Sequence, residues 1–278
     1  MALAGRVSSV RGDLVPDDLW KRVAPLLPPT PERRHRHPGR LRVPDRAALA
    51  GILFVLRTGV AWRDVPAETV GCSGVTAWRR LRDWTEAGRV AAPARRPADR
   101  IAPCRSAGPG RLFRGRIACP GPQRGDHVGP SPVDRARPGS KHHLIVDRHG
   151  TPLAVTLIGG NRHDVTQLLP LLDAVPPIRG RRGRPRRKLR RLYADRGYDF
   201  DKHRRLLWKR GIKPLIARRG VAHGSGLGKV RCVVERSFAW LHQSKRLRIR
   251  YERRADLHQG LLELACSLIC LRRLRTQS

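Results

Sequence analysis

The chain has 278 residues, with 59 Lys and Arg against 22 Asp and Glu and a formal net charge of +37, so it can bury two modest cores and attracts polyanions by screened Coulomb forces and counterion release. Nucleic acid is the expected partner. The longest apolar stretches, such as Leu261 to Leu271, are too short to span a bilayer, and residues 1–10 lack the pattern of a secretory leader, which argues against a membrane or secreted protein and for a cytoplasmic, nucleoid-associated one.

Residues 14 to 87 read as a helical unit. Asp17 and Asp18 open a helix carrying Leu19, Val23, Leu26 and Leu27, stopped by Pro28 and Pro29. A second helix follows Pro44 and Asp45 and sets Leu49, Ile52, Leu53 and Leu56 on one face before Gly59. Ser73 caps a third, whose Val75, Trp78 and Leu81 are expected inside and whose Arg79, Arg80 and Arg82 are expected in water. This arrangement suits the recognition helix of a helix-turn-helix as well as it suits a plain three-helix bundle with a basic face. Trp20, Trp62, Trp78 and Trp84 are the expected core of the unit.

Residues 89 to 124 differ in kind. Arg, Ala, Pro and Gly fill 26 of these 36 positions and Asp99 is the only acid. No period of a helix or strand survives, so the stretch is expected to build no core and to be disordered. Order returns at Gly125. Lys141 to Val146 and Thr151 to Leu157 predict a β-hairpin turning at Gly150. Asp164, with Gln167 three residues on, predicts a capped helix through Leu172. Nine Arg or Lys among residues 179 to 191 lead into a short strand, Leu192 to Ala194. A helix over Asp201 to Arg210, a strand at Ile212 to Ala217, a Gly-rich loop from Gly220 to Gly228 and two closing helices complete a mixed α/β pattern.

Asp195 follows its strand directly, at the sheet end where ligands bind in open α/β folds; Gly197 lets the backbone turn, and Arg196 and Tyr198 flank it as phosphate contacts. On a continuous helix, with about 100° per residue, Arg231, Glu235, His242 and Arg246 share one face beside an apolar stripe of Val230, Val234, Phe238 and Leu241. An ion pair between Arg231 and Glu235 accounts for that face equally well. The six cysteines are scattered without a C-x-x-C pair, and Cys266 and Cys270 read as buried small hydrophobes.

Gly129-Pro130-Ser131-Pro132-Val133-Asp134-Arg135, Gly139-Ser140-Lys141-His142-His143, Gly159-Gly160-Asn161-Arg162-His163-Asp164, Tyr193-Ala194-Asp195-Arg196-Gly197-Tyr198 and Val234-Glu235-Arg236-Ser237-Phe238-Ala239-Trp240-Leu241 together resemble a bacterial insertion-sequence transposase of the DDE superfamily. Gly59-Val60-Ala61-Trp62-Arg63-Asp64-Val65-Pro66 resembles that family's N-terminal DNA-binding domain. The resemblance implies a ribonuclease H-like sheet preceded by a small all-α helix-turn-helix-like domain, with divisions at 1–88, 89–124 and 125–278. It implies three carboxylates holding two Mg²⁺ or Mn²⁺ ions, double-stranded DNA partners (terminal inverted repeats and target) and a homo-oligomer. Asp195 matches the second acid and Glu235 the last; Arg231 matches the basic residue before the glutamate, and His242 stands where many relatives have Lys. With Arg79, Arg80, Arg82, Arg196 and Arg246, these cations are the expected DNA contacts.

The family's first aspartate should fall near Gly115, yet no acid lies between Asp99 and Asp126. A shifted reading frame in a GC-rich gene accounts for the composition of 89–124 better than a linker does. Asp126 and Asp134, in Gly/Pro-rich sequence, are poor substitutes, and Asp147 and Asp164 read as turn and cap residues. The first strand of the sheet is therefore expected to be lost and strand cleavage impaired. The competing readings are a non-catalytic DNA-binding protein derived from a transposase and a general basic nucleic-acid-binding protein, the latter at odds with the motif order.

Overall fold

The computed structural model describes residues 14–30, 32, 36, 41–88, 111–132, 134–176, 189–220 and 228–276, the side chains of 228–231 excepted. Most of the basic run 179–191, the Gly-rich loop and residues 89–110 lie outside the described residues.

Helix α1 (Asp17–Val23), α2 (Asp45–Thr58), the single turn α3 (Ala67–Val70) and α4 (Gly74–Glu86) form the N-terminal unit. Asp17, Asp18 and Asp45 stand in first turns, where the helix dipole favours acids. Helix α2 stops at Gly59, whose φ of 77° provides a left-handed cap. Ser73 Oγ accepts the N–H of Thr76 at 3.3 Å and caps α4 as the sequence predicts. Two expectations fail on this helix: Val75 is exposed, whereas Arg80 is buried, donating to Val43 O at 3.0 Å and lying 3.3 Å from Asp45 Oδ1. The fully buried Ala77 and Leu81, with Trp84, set the inner face, and that face carries Arg80 with it. Of the four tryptophans, Trp84 is buried and the other three pack partly buried against the core.

The sheet contains β1 (Arg111–Pro120), β2 (Gly129–Pro130), β3 (Pro138–Val146), β4 (Pro152–Gly159), β5 (Arg191–Ala194) and β6 (Lys213–Ile216). Its order is β4-β3-β1-β5-β6, with the two-residue β2 beside the start of β3. Strands β1, β3 and β4 pair antiparallel, while β1, β5 and β6 run parallel. The expected hairpin, short strand and closing helices are present. The expected loss of the first strand is not: β1 lies in the middle of the sheet, built from the second half of the stretch that the composition gives as coreless.

Helices α7 (Gly228–His242) and α8 (Ala255–Arg275) cover one face, over Phe113, Leu144 and Val146; α5 (Leu168–Asp173) and α6 (Asp201–Lys209) cover the other, over Leu112, Ile145 and Leu192. Strand alternation divides β1 accordingly, with Leu112, Arg114 and Arg116 toward α5 and α6 and Phe113, Gly115, Ile117 and Cys119 toward α7 and α8.

The N-terminal helices share their core with the sheet. One continuous cluster runs from Leu49 and Leu53 through Trp84 to Leu261, Phe238 and Phe113. Arg246 donates to Val60 O at 3.0 Å, Arg254 pairs with Glu86 at 2.9 Å, and Arg275 pairs with Asp18. A Cβ on Gly59 would lie 3.1 Å from that of Lys245, so the cap and the segment after α7 meet closely.

Candidate active site

Asp195 leaves the end of β5 and accepts the N–H of Gly197 on Oδ1 at 2.9 Å, which fixes its carboxylate at the mouth of a 3₁₀ turn, Arg196–Tyr198. Parallel pairing sets Phe113 beside Tyr193, their rings stacked at 4.9 Å. The pairing ends there; carried on by two residues, the same register would bring Gly115 level with Asp195 on the face that α7 covers. Glu235 is on α7 and exposed, one residue from Val234, which packs against Gly115. Ser237 anchors α7 by donating to Gly150 O at 2.8 Å, in the β3–β4 turn. Val234 thus brings the Glu235 turn of α7 onto β1 at Gly115, and Gly115, near which the resemblance expects the first carboxylate, has none.

Helix α7 has settled onto the bare strand. A Cβ at Gly115 would lie 2.4 Å from Val234 Cγ1 and 3.2 Å from Phe238 Cε2, far inside ordinary carbon–carbon contact.

Asp164 approaches the same turn: a Cβ on Gly197 would sit 3.0 Å from Asp195 Oδ1 and 3.9 Å from Asp164 Oδ2. Asp164 is not the cap that the capping-box expectation makes it: His163 holds the N-cap position of a 3₁₀ turn, Asp164–Gln167, and the Asp164 carboxylate faces cations instead. Arg116 Nε is 2.5 Å and Lys141 Nζ 3.1 Å away. On the same side of the sheet the buried Arg114 stacks 3.9 Å over the Tyr198 ring and donates to Asp164 O at 3.3 Å. Burial brings its pKa down to about 10, against the opposing pull of Tyr198, Asp164 and Asp195. Burial also holds His143 down to about 2, with Arg114, Lys141 and Arg116 adding repulsion, and pushes the Tyr198 hydroxyl above its ordinary range. His143 Nδ1 lies 3.2 Å from Tyr198 Oη. Neither Arg114 nor Asp164 is signalled by periodicity; only the motif around Asn161 to Asp164 points to the second.

The expected DNA contacts divide. Arg79 is exposed, Arg82 is half-buried and pairs with Asp83 at 2.9 Å, and Arg196 is half-buried next to Asp195. Arg80 is withdrawn into the core as described. Arg246 is buried too, gripping Glu252 at 2.7 and 2.9 Å; α7 ends at His242, so the helical spacing that aligned Arg246 with Glu235 does not continue to it. His242 is partly buried, its Nε2 unpartnered, and burial and then Arg248 lower its pKa, which weakens the case for a charged phosphate contact. The side chain of Arg231 lies outside the described residues.

Residues 15–92 match the family described as "Putative transposase of IS4/5 family", and residues 117–270 match "Transposase DDE domain". A Burkholderia cepacia protein, "Putative transposase for insertion sequence element IS402", is 64% identical over 148 residues, 53% of this chain and 70% of that protein. "Insertion element IS402 uncharacterized 16.2 kDa protein" from the same organism is 63% identical over 76 residues, 27% of this chain and 51% of that protein. Among solved structures, a Mos1 transposase paired-end complex with the left transposon end has a TM-score of 0.23 and 13% identity, over 88% of this chain and 82% of that one. That likeness is too remote for anything to be argued from it.

Proposed function

The chain belongs to the DDE transposase family of insertion sequences, and we propose that it is a form that binds DNA without the means to cut it. A DDE domain implies a divalent metal, and two ions about 4 Å apart would activate the attacking oxygen and stabilise the leaving one. The residues present do not fit such a pair. Asp195 and Glu235 supply two carboxylates, Gly115 supplies none, Asp164 is neutralised by Arg116 and Lys141, and the volume an acid at 115 would use is filled by Val234 and Phe238. The packing of Val234 and Phe238 onto Gly115, where the family's first acid is expected, is the observation that carries the proposal. The two family matches leave residues 93–116 between them, which supports a shift of reading frame as the origin of that glycine.

DNA binding is supported by the charge of +37 and by the exposed Arg79 on a capped helix. Binding to terminal-repeat and random duplexes at two salt concentrations separates an inherited preference from phosphate attraction alone, which shows a steep salt slope and no preference. In a strand-cleavage assay on the terminal repeats, the expected result with Mg²⁺ or Mn²⁺ is no cutting. Metal-dependent cutting that disappears in Asp195→Asn overturns the proposal.

A further inference from the structure

On the other half of β1, a second set of groups that the transposase chemistry does not use meets inside the core. Cys119 of β1, His142 of β3 and His258 in the first turns of α8 are all buried, with their ligating atoms within 4.8 Å of one another. The antiparallel register pairs Ile117 with His142 and Cys119 with Ser140, so Cys119 and His142 are diagonal neighbours on the α8 side of the sheet. Chain neighbours alternate faces, which sends His143 to the opposite side, against Tyr198.

We propose that Cys119, His142 and His258 form a binding site for a thiophilic transition-metal ion of the Zn²⁺ or Cu⁺ class. The donors are one sulfur and two imidazole nitrogens, a set that suits soft and borderline metals and not Mg²⁺. His142 Nε2 and His258 Nε2 lie 3.0 Å apart, already converging on one point. Bonds of about 2.0 to 2.3 Å reach these atoms after small side-chain adjustments. His258 Nδ1 faces Glu252 Oε2 at 3.4 Å, and Glu252 is held in turn by Arg246. That chain keeps the proton on Nδ1 and the lone pair of Nε2 toward the cluster, the outer-shell arrangement that orients metal-binding histidines. Burial lowers the pKa of both imidazoles, leaving them in the neutral form that binds metals. Binding forms a metal–sulfur bond as the Cys119 thiol loses its proton to solvent, while the proton on His142 Nε2 moves to Nδ1; no electron is transferred. Burial pushes the Cys119 thiol up to about 12, with Arg250 pulling the other way, so it is the metal that displaces the thiol proton.

The test is a titration of chelator-stripped, reduced full-length protein with Zn²⁺, and with Cu⁺ without oxygen, followed by gel filtration and metal analysis. About one equivalent per chain is expected to be retained, and Co²⁺ is expected to give a thiolate charge-transfer band. Cys119→Val, a substitution suited to a strand, and His258→Gln should each reduce retention at least tenfold, with the first also abolishing the band. Cys232→Ser, which alters an exposed thiol, should change neither. Uptake of either ion with this dependence supports the site. Retention of neither ion, or retention unchanged in a folded Cys119→Val variant, overturns it.

Discussion

Replacing Gly115 by Asp tests whether this glycine stands in an acid's place. The new Cβ would meet Val234 Cγ1 at 2.4 Å, more than an ångström inside normal contact. A β-branched side chain in a helix is held near one rotamer, so Val234 cannot swing away and α7 must shift. Overpacking of this kind costs about 1–3 kcal/mol; regaining a side chain in a strand interior returns roughly 0.5–1 kcal/mol. A second carboxylate beside Asp195 adds repulsion, so a net loss of about 1–3 kcal/mol is expected without metal. Urea midpoints measure it, and Val234→Ala in the same chain should recover most of it because the two positions are in contact. Mg²⁺ at about a hundred times its dissociation constant should then stabilise the double variant by roughly 2.7 kcal/mol and leave the parent unchanged. Unaltered stability of Gly115→Asp, together with no response of the double variant to Mg²⁺ or Mn²⁺, would refute the assignment of this position.

Two further outcomes follow from the cations and the buried histidines. Arg79→Ala should weaken DNA binding across sequences and lower the salt slope by about one, whereas Arg80→Ala should cost about 1–3 kcal/mol of stability by removing the donor to Val43 O and leaving Asp45 only Arg42, and leave the slope of the folded protein alone; binding isotherms at several salt concentrations with parallel urea melts distinguish them. His143 stays neutral in the folded chain down to about pH 2 but takes up a proton in the unfolded chain below its ordinary pKa. The unfolded state thus holds the extra proton between these limits, and stability falls with pH below about 6.5, by about 2 kcal/mol at pH 5 from this residue. Urea midpoints from pH 8 to 5 should show that slope reduced in His143→Gln; an unchanged slope would show that the imidazole titrates freely.

The parts of the fold legible in the sequence are those whose faces separate by chemistry. Helix α2, with Leu49, Ile52, Leu53 and Leu56 buried, and the β3–β4 hairpin fall where apolar periodicity puts them. Strand β1 was hidden because its alternation runs between two buried faces, one of them occupied by Arg114, which pattern reading sends to water. The strand forms because β3 and β5 each offer a ladder edge that any backbone can fill, largely irrespective of side chains. In the site, Asp195 was legible from strand, acid and glycine in succession. Asp164 was not, since Asp followed by Gln three residues later signals a cap, and only the folded chain brings Arg116 and Lys141 to it. Arg246 was misplaced because periodicity says nothing of where a helix ends.

The core common to the N-terminal helices and the sheet has a consequence for partial products of this gene. A polypeptide ending before β1 would keep α2 and α4 but lose the Lys245–Leu247 turn and α8, with Leu247 and Leu261 of the core they share. Its Leu53, Val55 and Leu81 would face water, a condition that invites aggregation and proteolysis. The DNA binding proposed for the first 88 residues is then expected not to be a detachable trait: it should persist only while the rest of the chain, competent or not in strand cutting, is made and folded along with it.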